Sequence, residues 1–300
     1  MKFLICIITT LILSNETLLS MSIIRSINLP SDAKGWGSNN VTSSFIGDIS
    51  GLYLNPATIS TADQQISACY TDYLLDINST NFILLFSNSK RSLAIGSKFV
   101  NYGNFNGYDN QGNFSGKYSV NDFILSATYT SNIKRKINYG ISFIYFNTNI
   151  ESITKSFFFS RIGIIIYEPK TTFSVGFSIL SKLLAIGKNY DEQIPNQYIA
   201  SVSKKLAHLP LRIGLQAEST DIQNITVKVG GEFIITNNFF LRWGTSTNRF
   251  QISTYQTFTS FFGGSSIGCG YNLGRYNIDL ALHSLGEMGY IFSSSISIKI

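Results

Sequence analysis

Two histidines and three cysteines, with a thin scatter of carboxylates, are the groups from which this 300-residue chain could build a reactive centre. A hydrolase of the Ser-His-acid type needs a serine and a carboxylate converging on one imidazole. His208 falls in a short turn beside Pro210, and His283 ends a strand on its polar face at one rim of the sheet. Serine is abundant everywhere, so its presence selects no partner for either histidine. Cys269 shares its face with Ile267 and Tyr271, pointing away from any ligand set, and Cys69 and Cys269 lie too far apart in sequence to form a disulfide framework. Asp109-x-Gln111-Gly112 has the start of a calcium loop but lacks the run of oxygen ligands and the terminal Glu. The glycine fingerprints of nucleotide sites are absent. The expectation is a non-enzyme with no cofactor and no bound metal.

The rest of the chain must then be read for what it assembles, and composition restricts that strongly. Charged residues make up 13% of the chain, about half the ~25% usual in soluble globular proteins. Hydrophobic residues are 44% and aromatics 14%, the reverse of a disordered chain. No apolar run approaches the ~20 residues of a membrane-spanning helix. Net charge is +6, with Lys134, Arg135 and Lys136 as the one tight basic cluster, read as a solvated turn; no nucleic-acid partner is expected. Lys2 followed by the apolar stretch Phe3–Leu13 has the form of a secretory signal, with cleavage near Ser20–Ser22. Cys6 lies too early, inside that stretch, for a lipoprotein cysteine.

Period-two alternation runs from about residue 66 to the last residue. Phe173, Val175, Phe177 and Ile179 oppose Ser174, Gly176 and Ser178, and Tyr276, Ile278, Leu280 and Leu282 oppose Asn277, Asp279, Ala281 and His283. The pattern predicts about fourteen strands, an even number as an outer-membrane barrel requires. Connections are expected to alternate, each short turn being shorter than either neighbouring loop, which a soluble sandwich has no reason to do. In hydrocarbon every backbone N–H and C=O must be paired, so the sheet must close on itself. The polar face carries Gly140, Gly176, Gly214, Gly230, Gly268 and Gly270. Two readings stay open for these glycines: close approach of another piece of backbone, or bends at barrel corners.

Residues from about Ser26 to Ser60 do not alternate. Asn55-Pro56 suits a helix start, with Asn as cap and Pro at the first position. Trp36, Phe45, Ile46, Leu52, Tyr53 and Leu54 look buried and favour a plug folded into the lumen over a solvated tail. The organisation predicted is a signal over 1–21, a plug over 22–64 and a transmembrane antiparallel β-barrel of about fourteen strands over 65–300.

The opening of the mature chain, from Leu29-Pro30 through Ala33, Gly35 and Gly37 to Asp48 and Asn55-Pro56-Ala57, resembles the PorV/PorQ group of FadL-like outer-membrane barrels. The stretch Tyr102-Gly103-Asn104-Phe105, Asp109, Gly112-Asn113-Phe114 and Gly116-Lys117-Tyr118-Ser119 is similar to the PorQ branch of that group. So is Ser203-Lys204-Lys205-Leu206-Ala207-His208-Leu209-Pro210-Leu211-Arg212. Lys34 stands where the group usually has Arg, and Trp36 and Ser38 interrupt its run of small residues. The resemblance implies a plug motif at Pro30, Gly35, Gly37, Asp48, Asn55, Pro56 and Ala57. It also implies an outer-membrane component of the type IX secretion system of Bacteroidota, mooring PorZ-like and PorU/PorV-like surface subunits of the cargo-attachment complex. The alternative is a FadL-like channel for hydrophobic compounds, which would need a lateral opening and an apolar pocket.

Binding surfaces concentrate on loops held by a rigid scaffold, and aromatics are enriched at protein contacts. The three longest expected outer connections, Gly103–Gly116, Lys182–Asn196 and Asn248–Gly263, make Phe105, Tyr108, Asp109, Phe114, Tyr190, Phe258, Phe261 and Phe262 the partner-binding candidates. Outer-membrane lipid is the other expected partner.

Overall fold

The computed structural model describes residues 21–88, 90–109, 111–133, 136–151, 153–186, 193–220, 225–249 and 261–300. Fourteen antiparallel strands form one closed barrel in which each pairs with its sequence neighbours and the last pairs with the first. They are β1 (Gln65–Asp72), β2 (Asn78–Ser87), β3 (Arg91–Tyr108), β4 (Phe114–Ile133), β5 (Ile137–Ile150), β6 (Ile153–Glu168) and β7 (Phe173–Ile186), followed by β8 (Gln197–Lys205), β9 (Leu211–Ser219), β10 (Ile225–Ile234), β11 (Phe239–Ser246), β12 (Ser265–Leu273), β13 (Tyr276–Ser284) and β14 (Tyr290–Lys299). The closing seam runs from Gln65↔Lys299 to Asp72↔Phe292 without a register break. No helix among the described residues is long and apolar enough to cross a membrane.

Alternation of side chains puts the two faces in different solvents. Outward positions such as Leu93, Ile95, Phe99, Ile162, Ile164 and Ile166 are exposed and apolar, whereas Ser126, Thr128, Thr130, Ser142 and Ser178 point inward and are buried. An apolar belt continuous around the whole circumference is far larger than the few hundred Å² a soluble monomer exposes. It is the surface of a barrel solvated by acyl chains.

One end of the barrel carries the short connections 88–90, 134–136, 169–172, 206–210, 235–238 and 274–275, together with the start of β1 and the end of β14. This is called the turn end, and the other the loop end. The expected loop lengths need correction here. The connection between β5 and β6 is only 151–152, shorter than the turns on either side of it. Gly103–Gly116 is no loop but the upper part of a hairpin, turning at 109–113. The asymmetry of the two ends is carried instead by strand length. β3 to β7 rise past their neighbours as a wall: β2 stops opposite Asn101, and β8 starts opposite Leu180. β3 leaves β2 at a bulge, where the register shifts between Asn101 and Asn104 and Gly103 takes φ +89.

Candidate functional site

Residues 21–64 fold inside the barrel as a plug made of short capped pieces. A helix at 21–28 (α1) leads to α2 (Ala33–Gly37) and to 3₁₀ turns at Ile49–Gly51 and Pro56–Thr61. The last three pieces each start on a side-chain cap. Asp32 accepts from the Gly35 N–H (2.8 Å), Asp48 from the Ser50 N–H (3.0 Å) and Asn55 from the Ala57 N–H (3.1 Å). Pro56 fills the first position of its turn, where no N–H is needed. Trp36, Phe45, Leu52, Tyr53 and Leu54 are buried, and Ile46 only partly so.

The inward glycines explain how so much backbone fits. A Cβ on Gly140 would stand 2.8 Å from the Pro56 carbonyl carbon, one on Gly176 2.7 Å from the Ser43 oxygen, and one on Gly244 2.5 Å from the Ser38 carbonyl carbon. Gly268 of β12 meets Gly37 of α2, glycine against glycine, at 2.9 Å from the built Cβ to the facing Cα. Close backbone approach is thus the reason for Gly140, Gly176, Gly230 and Gly268, and Gly214 makes room for Val41 and Phe45. Gly270 differs, because its missing side chain accommodates Arg242 and Asp279.

Strand side chains then tie the plug down by its backbone. Ser174 Oγ donates to Ser44 O (2.8 Å), Ser266 Oγ to Gly37 O (3.2 Å), Asn81 Nδ2 to Ser31 O (2.6 Å) and Gln216 Nε2 to Asn40 O (3.1 Å). Two buried cations add to this. Lys98, 1% exposed, donates to Ile27 O (3.2 Å) and Leu29 O (2.6 Å) and stands 4.2 Å from the centre of the Tyr53 ring. Arg161, 0% exposed, donates to Leu54 O (2.9 Å), Asn28 Oδ1 (2.8 Å) and Gln197 Oε1 (2.8 Å). Neither makes an ion pair among the described residues. A buried charge without a counter-ion must be solvated by dipoles, and here the plug's carbonyls supply many of them.

Toward the turn end the plug meets an ionic cluster. Lys34 pairs with Asp48 (2.8 Å) and Glu232 (3.5 Å), while Arg242 bridges Glu232 (2.7 Å) and Asp279 (2.6 Å). Burial alone would raise the Asp48 carboxyl, but the charge and hydrogen bond of Lys34 outweigh it and hold Asp48 at about 2. Burial likewise works against the Lys34 ammonium, and the carboxylates of Asp48 and Glu232 reverse the effect and raise it. Asp32 is pushed up to about 6, by burial first and then by the Asp48 charge. The raised value means that the folded state holds a proton on Asp32 that the unfolded chain has released. Stability therefore falls as pH rises from about 4 to 6, and the full penalty, at most about 3 kcal/mol, persists above that window. Asp32→Asn keeps the cap and removes the charge. It is expected to raise the thermal unfolding temperature of the detergent-purified barrel at neutral pH, with the gain vanishing near pH 4. A gain that is the same at both pH values would refute this account.

Above the plug, toward the loop end, lies a cavity of about 780 Å³. Its wall is mixed: Ile24, Leu29, Trp36, Tyr73, Leu285 and Ile291 on the apolar side, and Asn28, Asn39, Asn40, Gln197, Glu218 and Lys228 among its polar groups. Glu218 and Lys228 pair at 2.6 Å. His283 lines this cavity beside Trp36, with ring centres 5.7 Å apart, and His208 is exposed in its turn. Cys69 points into the lumen against Ser293, and Cys269 lies on the outward face. Among the described residues no three His, Cys, Asp or Glu gather as a metal set.

The partner-binding candidates fall in separate places. Phe105, Tyr108 and Phe114 lie on the tall β3–β4 hairpin, where Phe105 stacks on Tyr118 at 5.7 Å and Tyr108 meets Phe114 edge-on at 6.2 Å. Asp109 closes that hairpin. Its carboxylate accepts from the N–H groups of Gln111 and Asn113 and from the Asn113 side chain, bonds that hold it below the usual carboxylate range. Its oxygens serve the turn rather than a calcium loop. Phe261 and Phe262 pack edge-to-face at 5.2 Å near Arg249, before β12. Around the barrel, β13, β14, β1 and β2 separate them from the hairpin. Tyr190 and Phe258 lie outside the described residues. Of the plug motif, Gly37, Asn55, Pro56 and Ala57 touch the barrel wall directly, Asp48 anchors Lys34, and Pro30 and Gly35 shape the turns around Asp32.

Sequence reasoning missed Lys98, Arg161, Glu232 and Arg242. The signal was present: each is a charge on the polar face of a strand in a chain poor in charge (Glu232 shares its face with Lys228), and such a residue needs an internal partner.

No family model matches the chain, and no curated protein matches it in sequence. Solved structures do match in fold. The chain is similar to a FadL homologue of Pseudomonas aeruginosa at TM-score 0.56 and 13% identity, over 90% of this chain and 98% of that one. It is similar to the Pseudomonas putida toluene transporter TodX at 0.61 and 12%, over 91% and 98%, and to the monoaromatic hydrocarbon channel CymD at 0.60 and 11%, over 91% and 98%. At such identities the likeness is one of fold: this chain is a plugged fourteen-strand barrel of FadL-like, outer-membrane type.

Proposed function

We propose that this barrel is exported by a signal over 1–21 to the outer membrane, where it acts as a sealed platform rather than a conduit. In this reading it is a PorQ-like mooring for surface subunits of the type IX attachment complex, PorZ-like and PorU/PorV-like in kind. Short turns face the periplasm and the loop end faces the cell surface. The observation that carries the reading is the wall of β3–β7, which lifts an aromatic hairpin clear of the barrel over a lumen filled by tightly bound backbone. Phe105, Tyr108 and Phe114 are exposed there at 43%, 63% and 59%, more apolar surface than a solvated hairpin needs.

A second reading, a channel for hydrophobic compounds, has the fold of the toluene and monoaromatic transporters in its favour. It is also favoured by an inward apolar cluster of Ile124, Ile144, Phe146, Phe157, Phe159 and Leu180, on which Ile23, Ile24 and Ile27 of α1 pack. Against it stand the Glu218–Lys228 pair in the cavity wall and the plug beneath.

Affinity purification of the full chain from its native membrane in mild detergent separates the two. Large surface proteins with a sorting-type C-terminal domain should co-purify. The triple variant Phe105→Ser, Tyr108→Ser, Phe114→Ser should lower their recovery about tenfold or more, as loss of aromatic anchors does. A clean monomer retaining an apolar small molecule, unaffected by the triple variant, favours transport and sinks the mooring.

A further inference from the structure

The turn end is a ring of basic side chains. Lys90 precedes β3 and Arg91 starts it, Lys170 lies between β6 and β7, Lys204 and Lys205 end β8, and Arg275 lies between β12 and β13. All six are exposed, and none has an ion-pair partner among the described residues. Lys136 and Lys299, on the same rim, are paired with Glu168 (2.9 Å) and Asp63 (2.8 Å). The loop end has the opposite bias in its exposed acids, Asp72, Asp76, Asp109, Glu151 and Glu287.

We infer that this collar binds the anionic headgroups of phospholipids in the leaflet around the turn end. The inference rests on the reading of the chain as a membrane barrel. Three features favour lipid over an acidic protein. The cations stand at or within a few residues of the ends of strands whose outward faces are apolar, so their charges lie at headgroup depth. They are spread around the circumference, as a surrounding leaflet requires and a partner docking on one side does not. Long Lys and Arg stems can cover the last apolar positions, such as Leu93 and Phe173, while the charge reaches a phosphate. Each cation near an anionic surface favours it by about fivefold, and the effect is screened by salt. A headgroup held by two such cations should therefore be favoured at least tenfold over a zwitterionic one.

The test is native mass spectrometry of the full chain released from nanodiscs of equal phosphatidylglycerol and phosphatidylethanolamine. The parent should keep phosphatidylglycerol about tenfold over phosphatidylethanolamine, and added salt should reduce this. Lys204→Gln with Lys205→Gln and Arg275→Gln should bring the ratio near one, whereas Lys117→Gln with Lys155→Gln and Lys182→Gln at the loop end should not. Equal retention of the two lipids by an inserted parent overturns the inference and leaves the barrel reading intact. So does an unchanged ratio in the turn-end variant, or recovery of an acidic periplasmic protein in place of lipid. Failure to insert into any bilayer, seen as loss of the heat-shifted band on a gel, overturns both.

Discussion

A variant carrying Lys98→Met and Arg161→Met should lose its plug. The two side chains donate to four acceptors on the plug, one on β8 and one on β7, and methionine fills similar space but donates nothing. A hydrogen bond to a charged group contributes about 1.5–3 kcal/mol net, a figure that already contains the cost of desolvating the ion. Losing these bonds together therefore costs several kcal/mol, on the order of 5 or more. The remedy open to the orphaned carbonyls is water, which reaches them when the plug undocks. In planar bilayers the parent should conduct little and the double variant should show large, noisy openings. Trypsin should cut at Lys34 in the variant and spare it in the parent. Equal conductance and equal protection of Lys34 would mean that the cations do not hold the plug.

The second large effect is steric. Gly230 and Gly244 face each other across β10 and β11, and both lie against the Ser38 carbonyl. Gly230→Val with Gly244→Val would drive two branched side chains into backbone that cannot retreat, because Gly37 is seated on Gly268 and Ser266 holds its carbonyl. Overpacking a well-filled interior costs about 1–3 kcal/mol per site, and more where backbone must move. The pair should either expel the plug or lower the temperature of the heat-shifted gel band by about five degrees or more, at ~3 kcal/mol or above. Leu241→Val, on the lipid face of the same β11, should change neither. A glycine-to-valine pair as stable and as well plugged as the parent would show that the plug is not seated as described.

The barrel was legible because its determinants are local and repeated. Period-two alternation, scarce charge and turn residues mark each strand independently, so an error at one end of β6 does not move the others. The plug was legible from apolar residues such as Trp36, Phe45 and Leu52 in a segment that does not alternate. What the sequence could not disclose was pairing across distance. Nothing near Arg161 names Leu54 or Asn28 as its acceptors, and nothing near Gly268 names Gly37. Loop lengths misled for a related reason: Phe105 to Tyr118 is rich in Gly, Asn and Ser, which resembles loop chemistry, yet the hairpin registers through cross-strand aromatic pairs. Turn composition and strand composition overlap where both faces of a sheet are wet.

The seam between β1 and β14 fixes an order of events. Its partners, Gln65 with Lys299 among them, come from opposite ends of the sheet, so no part of it can form by local zippering and its loop-closure entropy is the largest in the molecule. The segment that precedes β1 already lies within the circle that this seam completes. Once zipped, the cylinder offers only its two mouths as doorways, and threading capped turns past Lys98 and Arg161 afterwards would mean breaking each cap on the way in. The economical route is for the open sheet to wrap its own stopper and only then lock, which makes the plug a template for closure as well as a seal.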